Sequence, residues 1–209
     1  MSICIIPCGF RCYTSNWLKK QGITNQATLP FDNGFFPSES IAKFISDGNI
    51  KLNQSNSIPM VKHGEKTPHL KFTSSTYALI DSAIAKTKKY DNTLLDTTRG
   101  YYTWYKKYNF ILAHYNWHAS SNQGDGSKGI DHNMAVLTSI LNRRRQRLID
   151  QINKATEVRL VYWSSNHETI CINDTQYDLS SNHVKDVLSN AFSKLHRNVI
   201  FQEIGKDLK

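Results

Sequence analysis

The spacing of apolar residues changes along this chain, and each change marks an element. Ser2 to Ile6 is a short isoleucine-rich run closed by Pro7 and Gly9. A run of that length bounded by turn residues predicts a buried strand and then a turn. Residues 11–20 predict a helix. Trp17 and Leu18 give it apolar contacts, Lys19 and Lys20 suit its C-terminal end, and Gly22 is placed to stop it. Leu29 to Phe36 is a turn-rich aromatic loop, and Pro37 to Ser40 opens a second helix carrying Ile41, Phe44 and Ile45 and ending near Gly48. Extended segments are expected near 57–62 and 69–73, and a helix over 76–89.

The last third has the longest periodic segments. Asn109 to His114 predicts a buried strand, and the polar stretch 119–129 a loop. Residues 131–153 predict one long helix with Met134, Leu137, Leu141, Leu148 and Ile152 inward. Val158 to Trp163 and Thr169 to Ile172 read as strands. Residues 181–195 are amphipathic, with Val184, Val187, Leu188, Ala191, Phe192 and Leu195 on one face, and Asn198 to Ile204 closes as a strand. Strand, helix, strand, helix, strand is the pattern of right-handed crossovers around a parallel sheet. The expected fold is therefore α/β, a three-layer Rossmann-like sandwich with a mostly parallel sheet, in a single domain over 1–209.

Composition narrows the functional classes. An aromatic share of 11% in 209 residues excludes a wholly disordered chain, which lacks the apolar surface to offset ordering entropy. No run of about 18 apolar residues is present, and no basic, apolar leader opens the chain, so the expected compartment is the cytoplasm. Lys plus Arg number 26 against 17 Asp plus Glu, a net charge of +9 that favours anionic partners or substrates. No nucleic-acid module is visible, so nucleic acid is not the expected partner. The densest basic patch, Arg143-Arg144-Arg145-Gln146-Arg147, reads as a solvated helix face or, more sharply, as a phosphate clamp using Arg143 and Arg147.

Cys4, Cys8 and Cys12 fall within nine residues, with Cys171 far away. Cys4 belongs to the strand and Cys12 to the helix, so the two do not share a face. No Cys-x-x-Cys pair or paired His motif completes a tetrahedral set, so no metal and no cofactor is expected. Cys12 has a different attraction. It follows a strand and a glycine turn and lies at a helix start, where amide groups and the adjacent Arg11 lower a thiol pKa. It is either a nucleophile or a small buried apolar residue. His114, with Trp117 and His118, lies at a strand end, and so do His167 and Glu168. Carboxyl ends of parallel strands gather at one edge, where these groups and Cys12 can meet. Tyr101, Tyr102, Trp104 and Tyr105 form either core or a stacking wall for sugars.

A strand, a Gly-x-x-Cys turn, a helix with a leucine, and then a Pro-Phe-Asp turn resemble the papain-like cysteine peptidase family of bacteria and viruses. The matching residues are Gly9, Cys12, Leu18, Pro30, Phe31 and Asp32. Asn33 stands where that family usually has Trp. The strand Phe110 to Ala113 and His114 match a later motif, but Tyr115-Asn116 replaces its acidic residue. The resemblance covers the first 45 or so residues well and the rest loosely. It implies an α+β papain-like fold and a hydrolase with Cys12 as nucleophile, His114 as base and Asp32 as orienting carboxylate. Backbone amides near Cys12, with Asn33, would form the oxyanion site, and Gly9, Arg11 and His167 would flank a peptide or glycan substrate.

Two rival readings remain at this point. One is a transferase or binding protein for a phosphorylated or nucleotide-linked sugar, with Gly9, Arg143 and Arg147 on phosphate. The other is an interaction domain with buried cysteines. On the fold, the periodic pattern of residues 107–204 outweighs the implied papain-like architecture, because it rests on longer segments.

Overall fold

The computed structural model describes residues 2–9, 12–24, 27–53, 55–59, 70–72, 102–113, 129–164, 168–172 and 175–204. Its elements are β1 (Ile3–Pro7), α1 (Tyr13–Lys20), β2 (Gly34–Phe35), α2 (Ser38–Ser46), β3 (Ser57–Pro59), β4 (Leu70–Phe72), β5 (Tyr102–Tyr105), β6 (Phe110–Ala113), α3 (Gly129–Lys154), β7 (Glu157–Trp163), β8 (Thr169–Ile172), β9 (Thr175–Asp178), α4 (Ser181–Ser193) and β10 (Val199–Ile204).

The crossover pattern at the ends of the chain builds what it predicts. β1, β7 and β10 form a parallel sheet with β7 in the centre. Alternation along the strands sorts the side chains. Cys4 and Ile6 of β1 and Val158, Leu160 and Tyr162 of β7 enter the main core, where α3 supplies Leu137, Leu141, Leu148 and Ile152, and α4 supplies Val184, Leu188 and Phe192. On the opposite face Val161 and Ile204 meet Leu18 of α1, with Ile5 and Trp17 beside them. Helices thus lie on both faces of this small sheet, as parallel strands require.

The mostly parallel sheet expected from the sequence is confined to these three strands. Among the described residues the others pair antiparallel, in the orders β2-β6-β5-β3 and β4-β8-β9. The chain is therefore mixed α/β. The physical reason is connection length. β5 and β6 are joined by Lys106–Asn109 alone, closed by the Asn109 N–H donating to the Lys106 carbonyl at 3.2 Å. Asn109 adopts φ 53°, the left-handed conformation that asparagine tolerates. Such a link reverses the chain and cannot serve a parallel pair. β9 lacks the apolar signature of a strand because only Tyr177 of its residues is buried. The helix expected over 76–89 lies outside the described residues. So does the loop expected over 119–129, save Gly129, which starts α3.

The antiparallel sheet meets the parallel one through an aromatic core. Phe31 contacts Phe36 and Phe44 at ring-centre distances of 5.5 and 5.4 Å, and Tyr105 contacts Phe110 at 5.4 Å. Burying each such ring contributes about 2–3 kcal/mol. For Trp104 and Tyr105, open in the sequence between core and a sugar-stacking wall, this packing selects the core. Both are buried, and the Trp104 indole Nε1–H donates to Asn109 Oδ1 at 2.9 Å. Among the described residues no helix is long and apolar enough to cross a membrane.

Candidate functional site

β1 delivers the chain to the carboxyl edge of the parallel sheet. The ladder extends one step past the strand: the Cys8 N–H donates to the Val161 carbonyl at 2.8 Å. Gly9 follows, buried, and Cys12 is the N-cap of α1 with φ −63° and ψ −6°. The Cys12 side chain makes no capping hydrogen bond, and the first turn of α1 holds no acidic residue. The positive end of the helix is therefore not neutralised by a carboxylate of its own first turn.

The three N-terminal cysteines have unlike surroundings, and none is in a disulfide. Cys4 and Cys8 follow the core-facing alternation of β1 and are buried. Burial pushes the Cys4 thiol from 9.0 up to about 11. Burial, and then the neighbouring Cys4, push Cys8 still higher. The Cys8 S–H donates to the Ile6 carbonyl at 3.4 Å. Both are protonated structural thiols at neutral pH. Cys12 is half-exposed. Among the described residues no group of three or more His, Cys, Asp or Glu is arranged to hold a metal ion.

Asp32 is brought to α1 by the Pro-Phe-Asp turn, in which Phe31 and Asp32 have separate tasks. Phe31 anchors the turn in the aromatic core. The Asp32 Oδ2 accepts the Leu29 N–H at 3.0 Å and the Lys19 ammonium at 3.3 Å. Lys19 lies seven residues after Cys12, two helical turns along the same side of α1, so the ion pair clamps the turn against the helix that Cys12 begins. The carboxylate is only 3% exposed, yet its Oδ1 has no hydrogen-bond partner. Asn33 follows, half-buried.

Two further buried oxygens share this property. Thr14 Oγ1, in the first turn of α1, and Ser164 Oγ, directly after β7, have no partner although their residues are 1% and 6% exposed. β7 is the strand paired with β1, so Ser164 leaves the sheet at the edge where the Cys8–Cys12 turn does. Trp163, beside it, packs edge-on against Trp17 of α1 at 6.0 Å. Buried polar atoms are normally satisfied. Among the described residues, three of the five orphaned side-chain atoms thus belong to Thr14 of α1, Ser164 after β7 and Asp32 of the turn that Lys19 ties to α1. Neither Thr14 nor Ser164 belongs to a motif in the sequence. Both carry a signal in the period: Thr14 stands four residues before buried Leu18, and Ser164 continues the core-facing series Val158, Leu160, Tyr162.

The other candidates divide. Arg11, His114 and His167 lie outside the described residues, as do Trp117 and His118. Arg143 and Arg147 line a groove on α3 that contains neither Gly9 nor Cys12. Arg147 also donates to the Thr28 carbonyl at 2.6 Å. Arg145 of the same run is structural, donating to the Ile45 and Asp47 carbonyls at the end of α2. Glu168 is exposed, and its carbonyl accepts the Leu179 N–H at 2.8 Å. His183, which has no role in the sequence reading, pairs its Nε2 with Glu39 Oε1 at 2.8 Å and ties α4 to α2.

Compared with protein-family models, with curated proteins and with solved structures, the chain finds no match.

Proposed function

We propose that the protein is a cysteine-dependent hydrolase, papain-like in its chemistry and built on the Rossmann-like core of β1, β7 and β10. The observation that carries this reading is the half-exposed Cys12 at the start of α1, the helix whose first turn holds the unpartnered Thr14 Oγ1 and whose Lys19 holds Asp32. In this reading His114 is the base. Gly34 pairs with Leu112 and Phe35 with Ile111, so the Pro-Phe-Asp turn leads into the strand beside β6. The Asp32 Oδ1 is then the acceptor for an imidazole N–H, which fixes the tautomer and leaves the other ring nitrogen for the thiol proton.

In the reaction the Cys12 thiolate attacks a carbonyl carbon. The new C–S bond forms, the bond to the leaving group breaks, and the imidazolium proton passes to the leaving group. Water then attacks the thioester, the imidazole takes its proton, and the C–S bond breaks to release the acid and restore the thiolate. Gly9, Arg11, Asn33 and His167 flank the substrate in this scheme.

The test is the pH dependence of iodoacetamide alkylation at Cys12, followed by peptide mass spectrometry. A thiolate paired with imidazole gives a rate already on its plateau near pH 6, and His114→Ala shifts the profile up toward an ordinary thiol near pH 8.5. A rate that climbs tenfold per pH unit through neutrality in the unmodified protein defeats the proposal.

A further inference from the structure

The two outer strands of the parallel sheet have unlike edges. At β10 the Val158 N–H donates to the Asn198 carbonyl at 2.9 Å, so Asn198 faces β7. Backbone groups alternate along a strand. Ile200 and Gln202 therefore face β7 as well, and the N–H and carbonyl groups of Val199, Phe201 and Glu203 point out of the sheet. Among the described residues no backbone hydrogen bond reaches those outward groups. On β1 the Cys8 N–H faces β7, so the last outward position is Pro7, which has no N–H to offer. Exposed edges are normally blunted by proline, lysine, a bulge or shortness. β10 has none of these: its six residues, Val-Ile-Phe-Gln-Glu-Ile, run in unbroken register with β7. Val199 and Phe201 pack against the main core, while Ile200, on the other face, is 40% exposed. The two ends of the strand carry opposite charge. Arg197 stands exposed just before it, and Glu203, also exposed, lies near its end, where it accepts the Ser181 hydroxyl at 2.6 Å.

We propose that this edge pairs with the same edge of a second copy of the chain, antiparallel about a two-fold axis through Phe201. In that register Phe201 meets Phe201 of the partner subunit, and Val199 meets Glu203 of the partner subunit. Every outward N–H and carbonyl of the three residues is then bonded. Arg197 comes diagonal to Glu203 of the partner subunit on the same side of the sheet, and the symmetry makes this pair twice. Ile200 lies beside Gln202 of the partner subunit. A parallel arrangement would set like charges together at both ends. A strand from another protein would need the same two charges in reversed order, which this chain's own strand supplies, so the charge pattern selects a second copy. The pairing is isologous and closes at two subunits, and it joins the two parallel sheets into one. The edge lies across β7 from β1 and Cys12, so the inference stands apart from the hydrolase reading.

Sedimentation equilibrium of the full chain in reducing buffer is expected to show a reversible monomer–dimer equilibrium. Its Kd should be on the order of 10 μM, because a strand-edge contact belongs to the smallest class of interface. Glu203→Arg and Arg197→Glu are each expected to weaken association about tenfold, since each sets like charges together at both ends. The double variant R197E/E203R exchanges the charges, and its Kd should return to within about threefold of the parent's. Amide hydrogen exchange reads the same edge with no substitution. The Val199, Phe201 and Glu203 amides should exchange about tenfold more slowly in the dimer than in the monomer, while those of Ile200 and Gln202, bonded to β7, stay unchanged. The proposal is overturned if the chain sediments as a monomer up to about 1 mM, or if either single charge reversal associates as well as the parent. It is equally overturned if the double variant associates no better than the single ones, or if the outward amides exchange at one rate at every protein concentration.

Discussion

The β5–β6 turn and the β1–α1 turn are both places where a strand ends beside buried polar groups, and they treat those groups in opposite ways. At the first, Asn109 uses everything it has. Its Oδ1 accepts the Trp104 indole N–H, its Nδ2 donates to the Ile172 carbonyl at 2.9 Å and to the Tyr177 hydroxyl at 2.7 Å, and its carbonyl accepts the Ser40 hydroxyl at 3.3 Å. One residue thereby joins both antiparallel sheets to α2. At the second, Thr14 Oγ1, Asp32 Oδ1 and Ser164 Oγ are more enclosed still and have no partner. A saturated network fixes one arrangement of the chain, whereas unsatisfied buried atoms cost stability and persist where something else supplies the missing bond. The contrast separates a joint from a site.

Replacing the joint has the largest expected effect. Asn109→Ala removes three part-buried side-chain hydrogen bonds and the residue type suited to φ 53°, and is expected to cost about 2–4 kcal/mol in urea unfolding. A loss below 1 kcal/mol on that scale, as for an ordinary surface turn, erases the distinction. Gly34→Ala follows, at about 2–3 kcal/mol, because a Cβ there overlaps the Ile111 carbonyl oxygen and comes within 2.6 Å of the Phe36 ring. It presses directly on the pairing that aligns the Asp32 turn with β6, and unchanged stability would show that the pairing is loose.

A milder test lies at the end of α2. The Lys107 ammonium, then the Tyr108 hydroxyl, hold the Asp47 carboxyl below its usual value. A carboxylate with a lowered native pKa stabilises the fold above the ordinary carboxylate range and loses that contribution as pH falls through its native value. The pair is largely exposed and screened, so its share is small. The stability gap between the parent protein and Asp47→Asn should therefore hold from neutral pH down to the ordinary carboxylate range and close below it. A gap that widens on acidification contradicts the assignment. The smallest effect is expected at the site itself. Ser164→Ala and Thr14→Val delete hydroxyls that make no bond, so each should leave stability within about 0.5 kcal/mol or raise it. A cost above about 1.5 kcal/mol would mean that these oxygens are already satisfied, and the contrast with Asn109 would vanish.

Legibility followed the range of the interactions involved. The long helix and the final amphipathic helix were readable nearly to their ends, since a 3.6-residue period over many turns has no competing interpretation. β1, β7 and β10 were readable because fully buried parallel strands are continuous apolar runs. β6 was readable as a strand, but its partners were not, and it was assigned to the wrong kind of sheet. The two arginines chosen as a clamp were chemically apt, yet position along a helix decided their company: Arg145, two residues from each, became a cap for α2. The Pro-Phe-Asp turn was conspicuous in the sequence. Its ion pair with Lys19 was not, because it links positions 19 and 32 through a fold that the local pattern does not encode.

The sequence by itself determined the crossover strands, the helices and a cysteine placed at a strand–turn–helix junction, because periodicity and turn chemistry act over a few residues. Which of three neighbouring cysteines stays exposed, which arginines face a groove, and which buried oxygens go without partners were decided only in three dimensions. Solvation and hydrogen-bond satisfaction depend on groups that the chain brings together from far apart.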